Sequence, residues 1–375
     1  MTNITNSKVP LKAGYISVSN DTSNLALSQS HLVSDYAQTT PKLGPTEQSG
    51  RRMFGKIALE EHFLLPGFHG FLPPGFSQVE IDEVHGRLLD VRDKRLTEMD
   101  QYGIKIQILS LTADGIQGEV DPKKAIRLAI EANDGLLKNF ISPYPSRFAG
   151  FASIALQDHK AAADELERTV KNFGFKGALV NGYTNIGNAD TGEYYDHPKF
   201  IPFWERVAEL DVPVYLHPRL PLPSQRIIYQ GHDEMLGPVW AFNTETAAHA
   251  LRLITSGLFD RFEKLNIILG HMGEGLISMI WRCENRFNKA TNGKKLRKPL
   301  SQYLTDNFYI TTSGHFQTQA LVNAIMTVGA DRIMFSLDYP YEDTSQGANW
   351  FDNCAISEID RLKIGRLNAE KLFRV

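Results

Sequence analysis

Eight short apolar runs recur along the chain, and segments with helical spacing separate them. In the first run, KIALEEH (56–62), side chains alternate between two faces as in a β-strand, with Leu59 and Glu61 on one face and Glu60 and His62 on the other. The other runs are 104–110, 148–154, 176–181, 212–217, 265–271, 307–313 and 332–338. Helical spacing is clearest at 87–103, 122–140, 160–174 and 357–373. The pattern predicts eight strands alternating with helices.

Such alternation favours a parallel sheet with helices outside it. Eight units in about 320 residues match a closed (β/α)8 barrel of the TIM type. The alternative is a doubly wound open sheet, but the glycine-rich phosphate loop that usually follows an early strand of that fold is missing. Gly103, Gly174 and Gly329 follow predicted helices, where glycine commonly ends a helix. We therefore expect an α/β protein with a barrel domain at 53–375.

Residues 1–52 differ from the rest of the chain, because they are rich in Ser, Thr, Asn and Gln and show no sustained periodicity. We expect an N-terminal extension that is mobile or lies over the surface. A partner-binding arm is the alternative, although the segment resembles no known motif.

Composition narrows the class of protein. The formal net charge of −3 gives no general electrostatic reason to bind nucleic acid or an anionic membrane. The two cysteines, Cys283 and Cys354, exclude a disulfide scaffold or a cysteine zinc cluster and fit the reducing cytoplasm. No apolar run approaches the roughly 20 residues that span a bilayer, and the N-terminus lacks the apolar core of a secretory signal. We expect a cytoplasmic globular protein.

Residues that can bind a metal follow four of the predicted strands. Glu60 and His62 end the first strand, His217 the fifth, His271 the sixth and Asp338 the eighth. In a (β/α)8 barrel these ends meet at the active-site rim. Imidazole and carboxylate ligands together suit Zn²⁺ or Mn²⁺, with Mg²⁺ as a further candidate, and leave a position open for substrate. Each residue alone has an ordinary structural explanation, but four strands would have to place such groups there by accident. We expect Glu60, His62, His217 and Asp338 to bind one ion.

His271 is predicted to act as an acid, a base or a hydrogen-bonding group, with Glu274 orienting its imidazole. His315 follows the seventh strand and either lines the pocket or lies at the surface. The remaining histidines lie in the extension, in loops or in helices, where surface or packing roles are expected.

Several motifs, in order, resemble the metal-dependent aromatic acid decarboxylases of the amidohydrolase superfamily, especially the γ-resorcylate (2,6-dihydroxybenzoate) and 2,3-dihydroxybenzoate decarboxylases. The motifs are GKIALEEHF, GFKGALVNG, LDVPVYLHPR, LNIILGHMGEG, ITTSGHF, DRIMFSLDYPYE and LKIGRLNAEKLF. The resemblance runs from about Phe54 to the C-terminus. It implies the same four metal ligands, pocket positions for His271, Glu274 and Arg282, and a homodimer or homotetramer. We expect no organic cofactor.

Three details refine what the resemblance implies. The opening Glu60-x-His62 replaces the His-x-His of hydrolytic relatives, and Asn181 ends strand four where those relatives often have a bridging lysine, so a single metal ion is implied. His62 favours the γ-resorcylate type, because some relatives acting on 2,3-dihydroxybenzoate or salicylate have Ala there. His315 favours the 2,3-dihydroxybenzoate type. The ortho-hydroxybenzoate that serves as substrate stays open.

The implied reaction is a reversible decarboxylation. Direct loss of CO₂ would leave an aryl carbanion, so we expect the ring carbon to be protonated first, with the metal as Lewis acid and template. Asp338 is the predicted proton donor, and His271 with Glu274 holds substrate oxygens or relays protons. Arg219 and Arg282 are candidates to hold Asp338 or the substrate, with surface ion pairing as the alternative. Flat walls for the aromatic ring are expected from Phe71 and Tyr341.

Two other functions use the same features. A mononuclear metal-dependent hydrolase of an ester, lactone or amide would share the ligands, although the Glu-x-His opening and the missing lysine count against it. A non-catalytic metal-binding scaffold would need a filled coordination shell and a closed barrel mouth.

Deleting residues 1–50 is predicted to leave a folded, active enzyme, because the segment lacks the apolar periodicity needed to pack against a core. Thermal unfolding and kcat of the truncated chain test this. A large loss of either would show that the segment packs against the barrel or a second subunit.

Overall fold

The computed structural model describes residues 52–71 and 76–375. The predicted extension, residues 1–52, lies outside the described residues except for Arg52. Ten strands are present in the described part of the chain. They are β1 (Lys56–Phe63), β2 (Ile104–Leu111), β3 (Phe148–Gly150), β4 (Ala178–Asn181), β5 (Thr184–Ile186), β6 (Asn188–Glu193), β7 (Val214–His217), β8 (Ile267–Leu269), β9 (Phe308–Thr311) and β10 (Ile333–Met334).

Eight of these strands are parallel and form the predicted barrel. β1, β2 and β3 pair in that order, and β4, β7, β8, β9 and β10 pair in a second run. Isolated bridges between Ala152 and Ala178 and between Glu61 and Tyr339 join the two runs at both ends. The (β/α)8 prediction is therefore confirmed, and the open-sheet alternative is wrong. The antiparallel hairpin of β5 and β6 was not predicted.

Helices follow the barrel strands. The α-helices are Gln78–Leu89, Lys94–Gln101, Pro122–Leu136, His159–Arg168, Ile201–Leu210, Ala241–Thr255, Leu258–Arg261, Leu276–Phe287, Leu300–Asn307, Thr318–Val328, Thr344–Asn353, Glu358–Leu362 and Asn368–Phe373. A short left-handed turn lies at His271–Glu274. Short 3₁₀ helices lie at Pro198–Phe200, Pro223–Tyr229, Asp233–Met235 and Ala330–Arg332. π-Helical turns lie at Leu137–Ile141, Thr169–Phe173 and Lys363–Leu367. None of the described helices is long and apolar enough to cross a membrane.

The predicted helix at 87–103 is wrong in one respect, because the structure has two helices there. The Asp90 carboxylate accepts hydrogen bonds from the backbone N–H groups of Arg92, Asp93 and Arg95, which ends one helix and starts the next. The predicted helix-ending glycines are confirmed, since Gly103, Gly174 and Gly329 have φ of 68°, 71° and 84°.

The barrel is filled by an apolar cluster to which every barrel strand or its adjoining residue contributes. Its strand members are Ile57, Leu59, Ile108, Phe151, Leu179, Tyr215, Ile268, Tyr309 and Met334. Ala369 and Phe373 of the C-terminal helix join this cluster. A larger apolar cluster links the strands to the surrounding helices. The barrel is therefore a packed core, and any site must lie at its rim.

A register irregularity in β1 between Ala58 and Glu61 alters the predicted alternation. The successive N–H groups of Leu59 and Glu60 both donate to Ser336 Oγ, at 3.3 and 2.6 Å. Leu59 packs in the barrel interior, and the Glu60 carboxylate is also bonded by Tyr215, a member of the same interior cluster. The prediction that Leu59 and Glu60 occupy opposite faces is therefore wrong. Such bulges commonly re-aim side chains beside active sites.

Glu61 holds β1 to the segment that follows β10. Its Oε1 accepts hydrogen bonds from Leu337 N–H and Ser336 Oγ–H, at 2.9 and 3.0 Å, and its Oε2 accepts one from the Gln107 amide at 3.3 Å. Burial raises the pKa of Glu61 to about 8, although the hydrogen bonds from Leu337 and Ser336 act in the opposite direction. The carboxyl thus fixes the backbone directly before Asp338.

Glu61→Ala is predicted to lower the free energy of unfolding by about 2–4 kcal/mol, because it leaves buried donors of Leu337 and Ser336 without an acceptor. Glu61→Gln keeps one oxygen and should lose less than half as much. Urea unfolding measures both, with exposed Glu83→Ala as control. Wild-type stability in Glu61→Ala would show that this carboxyl does not hold β1 to the segment that follows β10.

Candidate metal centre and active site

The four predicted metal ligands lie together at the carboxyl ends of the strands. Glu60 and His62 belong to β1, His217 ends β7, and Asp338 follows β10. Each offers one ligand atom, and these four atoms all lie within 4.8 Å of one another. His62 Nε2 is 3.1 Å from Asp338 Oδ1, and His217 Nε2 is 3.2 Å from Glu60 Oε1. One cation could contact all four.

Both histidines present Nε2 to this cluster because Nδ1 is engaged elsewhere. His217 Nδ1 donates to the carbonyl oxygen of Pro218 at 2.9 Å, which leaves Nε2 as the atom with a free lone pair. His62 Nδ1 lies 3.2 Å from Ser110 Oγ. Burial lowers the pKa of His62, which favours the neutral imidazole that binds metals. A hydrogen bond on the outer nitrogen is the usual arrangement for a metal-binding histidine.

Glu60 is fully buried, and its two oxygens differ. Oε2 accepts hydrogen bonds from the hydroxyls of Tyr215 and Ser313 and, at 3.4 Å, from Thr311. Oε1 makes no hydrogen bond within the described residues. Burial would raise the pKa of Glu60, but the nearby imidazoles, His271 first, hold it below its usual range. A buried anionic oxygen without a donor suits a metal ion.

His271 lies beside this cluster and contacts three carboxylates. Its Nδ1 is 2.6 Å from Glu274 Oε1, and its Nε2 is 3.4 Å from Asp338 Oδ2 and 3.5 Å from Glu60 Oε1. Burial lowers the pKa of His271, but these carboxylates, Glu274 first, raise it well above its ordinary value. His271 Nε2 therefore lies within hydrogen-bonding distance of Asp338 Oδ2. The predicted proximity of His271 and Glu274 is present.

The backbone carrying this pair is strained. His271, Met272, Gly273 and Glu274 have φ of 47°, 56°, 80° and 54°, so a left-handed turn follows β8. This conformation costs about 1–2 kcal/mol for each L-residue other than glycine. The turn brings the Glu274 carboxylate back onto His271 Nδ1, and strain of this kind clusters at functional sites.

An apolar cavity of about 170 Å³ adjoins His217, His271 and Asp338. Phe71 and Tyr341 line it, where the sequence predicted flat walls. The Tyr341 hydroxyl contacts Thr112 Oγ1 at 2.5 Å and the Phe71 carbonyl oxygen at 3.0 Å, which fixes the ring. The described residues thus leave a cavity beside the metal-binding cluster, which a non-catalytic scaffold would not need.

A second cavity of about 250 Å³ meets the first at His271 and Asp338. His315 lines this cavity, although its side chain is exposed. Asn243 and Glu342 line the same cavity. Burial, and then the charge of Asp338, raises the pKa of Glu342 to about 7.

The structure does not bring the two predicted arginines to the substrate cavity. Arg219 is buried, but its guanidinium donates to the carbonyls of Gln117 and Tyr183 and to Asn185 Oδ1. It therefore holds the β5–β6 hairpin and contacts neither Asp338 nor the cavity, and it forms no surface ion pair. Arg282 lies on an exposed face of the helix Leu276–Phe287 and lines neither cavity within this chain.

Several site residues were missed by the sequence analysis. Tyr215 lies two positions before His217 and Ser313 two after Thr311, so inward-facing polar residues at a period of two were a usable signal. Glu342 follows Asp338 by four residues, and this spacing is a weaker sequence signal for a site residue. Phe242 belongs to the helix after the long loop that follows β7, and no local pattern places it at the cavity.

Comparison with known proteins supports the same family. Residues 82–375 match the model of the amidohydrolase family. The chain belongs to the amidohydrolases. It is 49% identical to the γ-resorcylate decarboxylase of Rhizobium sp. (strain MTP-10005), over 86% of this chain and 99% of the relative. Within the amidohydrolases it therefore falls in the family of γ-resorcylate decarboxylases, which confirms the predicted resemblance.

Solved structures agree with this assignment. A 2,6-dihydroxybenzoate decarboxylase complexed with 2,6-dihydroxybenzoate has a TM-score of 0.82 and 49% identity, covering 86% of this chain and 99% of that one. A dihydroxybenzoic acid decarboxylase from Polaromonas sp. JS666, with bound manganese and the inhibitor 2-nitroresorcinol, has a TM-score of 0.81 and 48% identity. It covers 86% of this chain and 97% of that one.

Protein purified without chelator is predicted to carry about one divalent ion per chain, because the four converging ligand atoms form a single site. His217→Ala should lose most of this metal, since it removes an oriented nitrogen. His159→Ala, at the start of a helix away from the site, should retain it. Elemental analysis measures both variants. Two ions per chain, or full occupancy in His217→Ala, would contradict the predicted site.

Proposed function

We propose that this amidohydrolase is a metal-dependent carboxy-lyase that removes CO₂ from an ortho-hydroxybenzoate, with 2,6-dihydroxybenzoate as the favoured substrate. The observation that carries the proposal is the placement of Glu60, His62, His217 and Asp338 beside a small cavity with aromatic walls. The relatives named above act on, or bind, 2,6-dihydroxybenzoate and its analogue. These similarities favour the γ-resorcylate type over the 2,3-dihydroxybenzoate type.

We infer that Glu60, His62, His217 and Asp338 hold one divalent ion. Mn²⁺ is favoured over Zn²⁺ and Mg²⁺ because a solved relative contains manganese. The unpartnered Oε1 of Glu60 and the free Nε2 of His217 support this ligand set. When bound, the ion supplies Lewis-acid stabilisation of the carboxylate and phenolic oxygens of the substrate.

Asp338 is the proposed proton donor to the ring carbon that bears the carboxylate. Its Oδ2 lies 3.4 Å from His271 Nε2, so the imidazolium can supply the proton that Asp338 delivers. Glu274 stabilises the imidazolium through Nδ1. Once the ring carbon is protonated, the bond to the carboxylate breaks, CO₂ leaves and the ring regains its aromaticity.

The cavity walls serve this chemistry by orienting the ring and excluding water. The rings of Phe71 and Phe242 pack with centroids 5.4 Å apart, and the ring of Tyr341 lies 5.7 Å from that of His62. Apolar walls around a charged centre strengthen its electrostatic interactions. No observation favours the hydrolase alternative, whose metal ligands would be the same.

We also infer a homodimer or homotetramer. Met279, Trp281 and Met326 are 48%, 73% and 83% exposed, and they lie on the packed helices Leu276–Phe287 and Thr318–Val328. Exposed apolar residues grouped on neighbouring helices are typical of subunit contacts. Light scattering on the full chain would measure the oligomeric state. The cytoplasmic location stays a prediction.

Asp338→Asn is predicted to abolish decarboxylation of 2,6-dihydroxybenzoate, even at metal concentrations that refill the site. Loss of a general acid alone costs about 10²–10⁴-fold, and the damaged ligand set adds to this. The wild-type reaction in D₂O should place one deuterium on the carbon that carried the carboxylate, and a chelator should stop it. Mass spectrometry and CO₂ release measure these outcomes.

One outcome would assign the role of proton donor to His271 instead of Asp338. If metal-loaded Asp338→Asn still exchanges that ring position at the wild-type rate, Asp338 is only a ligand and His271 becomes the donor. Absence of CO₂ release from every hydroxybenzoate by the metal-loaded wild type, together with hydrolysis of an ester, would refute the proposed function.

A further inference from the structure

The two cavities at the barrel mouth differ in chemistry. The first is walled by aromatic rings, among them Phe71 and Tyr341. The second lacks these two rings and adds Asn243 and His315, whereas Glu342 lines both cavities. They meet at His271 and Asp338, so a ring bound at the proposed metal centre would face both. The unsubstituted edge of the ring suits the apolar first cavity, and a further polar substituent on the ring suits the second.

Glu342 is the ionisable residue, among those lining both cavities, that the proposed chemistry does not use. Its side chain is half-buried and lines each cavity. Its backbone N–H donates to the Asp338 carbonyl at 3.3 Å, but its carboxyl forms no hydrogen bond or ion pair with any described residue. By contrast, Glu61 and Glu274 are each bonded to neighbouring protein groups. Glu342 therefore offers an acceptor to a ligand.

A benzoate with one ortho hydroxyl uses its carboxylate and that hydroxyl at the metal centre. A second hydroxyl on the ring is then left over, and as an O–H donor it can bond either to the neighbouring carboxylate of the ring or to an acceptor in the cavity wall. Among the polar side chains of the second cavity that the proposed chemistry does not use, Asn243 and His315 are added there, while Glu342 is shared with the first. The carboxyl of Glu342 keeps an acceptor oxygen in either protonation state.

We propose that Glu342 is a specificity-determining residue that accepts a hydrogen bond from the second ring hydroxyl, so that the site selects dihydroxybenzoates over monohydroxybenzoates. This inference rests on the proposed function and specifies its substrate class. Because Glu342 is only half-buried, water can replace the hydroxyl in part, so the selection is about 10- to 100-fold rather than absolute.

A matched pair of unreactive ligands tests this on the full-length, Mn²⁺-loaded protein. 2-Nitroresorcinol, which the Polaromonas relative binds, carries two hydroxyls beside a nitro group, and 2-nitrophenol lacks one of them. The wild type should bind 2-nitroresorcinol about 10- to 100-fold more tightly. In Glu342→Ala the two dissociation constants should differ less than about threefold, and Glu342→Gln, which keeps one acceptor oxygen, should fall between.

The ratio of kcat/KM for 2,6-dihydroxybenzoate to that for 2-hydroxybenzoate should fall in Glu342→Ala by about the same factor. Glu83→Gln is the matched control, because Glu83 is exposed and lines neither cavity at the metal centre. An unchanged preference in Glu342→Ala, or an equal loss for both ligands, overturns the inference while leaving the proposed function intact. Failure of the wild type to bind either ligand overturns both.

Discussion

The carboxylate of Glu60, buried at the carboxyl end of a packed barrel, is the constraint on which the site depends. An ionised group without solvent costs several kcal/mol unless the protein compensates it. The hydroxyls of Tyr215 and Ser313 satisfy Oε2, while Oε1 faces only imidazoles. The barrel must therefore place polar groups at its carboxyl end, next to the apolar interior cluster that includes Leu59. A metal ion held by this cluster would supply the partner that Oε1 lacks among the described residues.

The fold was predictable because strand and helix periodicities are local properties of the sequence. Eight strands were found where alternation predicted them, and the strand ends carried the four converging ligands. The register irregularity of β1 was not predictable, since it depends on Ser336 Oγ, which accepts two successive N–H groups from a segment 276–277 positions away. The helix break at Asp90, by contrast, depends on residues that are close in sequence. The capping carboxylate of Asp90 was a usable sequence signal, but the spacing of apolar residues does not reveal it.

The walls of the site were predicted less well than its centre. A ligand at the end of a barrel strand is placed by the strand, whereas a wall residue is placed by the tertiary path of a loop. Arg219 shows the difference, because it follows His217 by two residues yet donates to the carbonyls of Gln117, after β2, and Tyr183, before β5. The sequence indicated that the Arg219 cation lies near the metal ligands. It could not show that loop carbonyls would accept the hydrogen bonds of the guanidinium. Buried carbonyls need donors as much as anions do.

Charge balance joins metal binding to proton supply. Three carboxyl groups, those of Glu60, Glu274 and Asp338, surround the imidazole of His271. Burial lowers the pKa of His271, but these groups raise it well above its ordinary value. A divalent ion held by Glu60 and Asp338 would attract these two groups as well, whereas Glu274 lies outside the proposed ligand set. The left-handed turn that puts Glu274 on Nδ1 therefore gives His271 a carboxyl partner that does not compete for the metal.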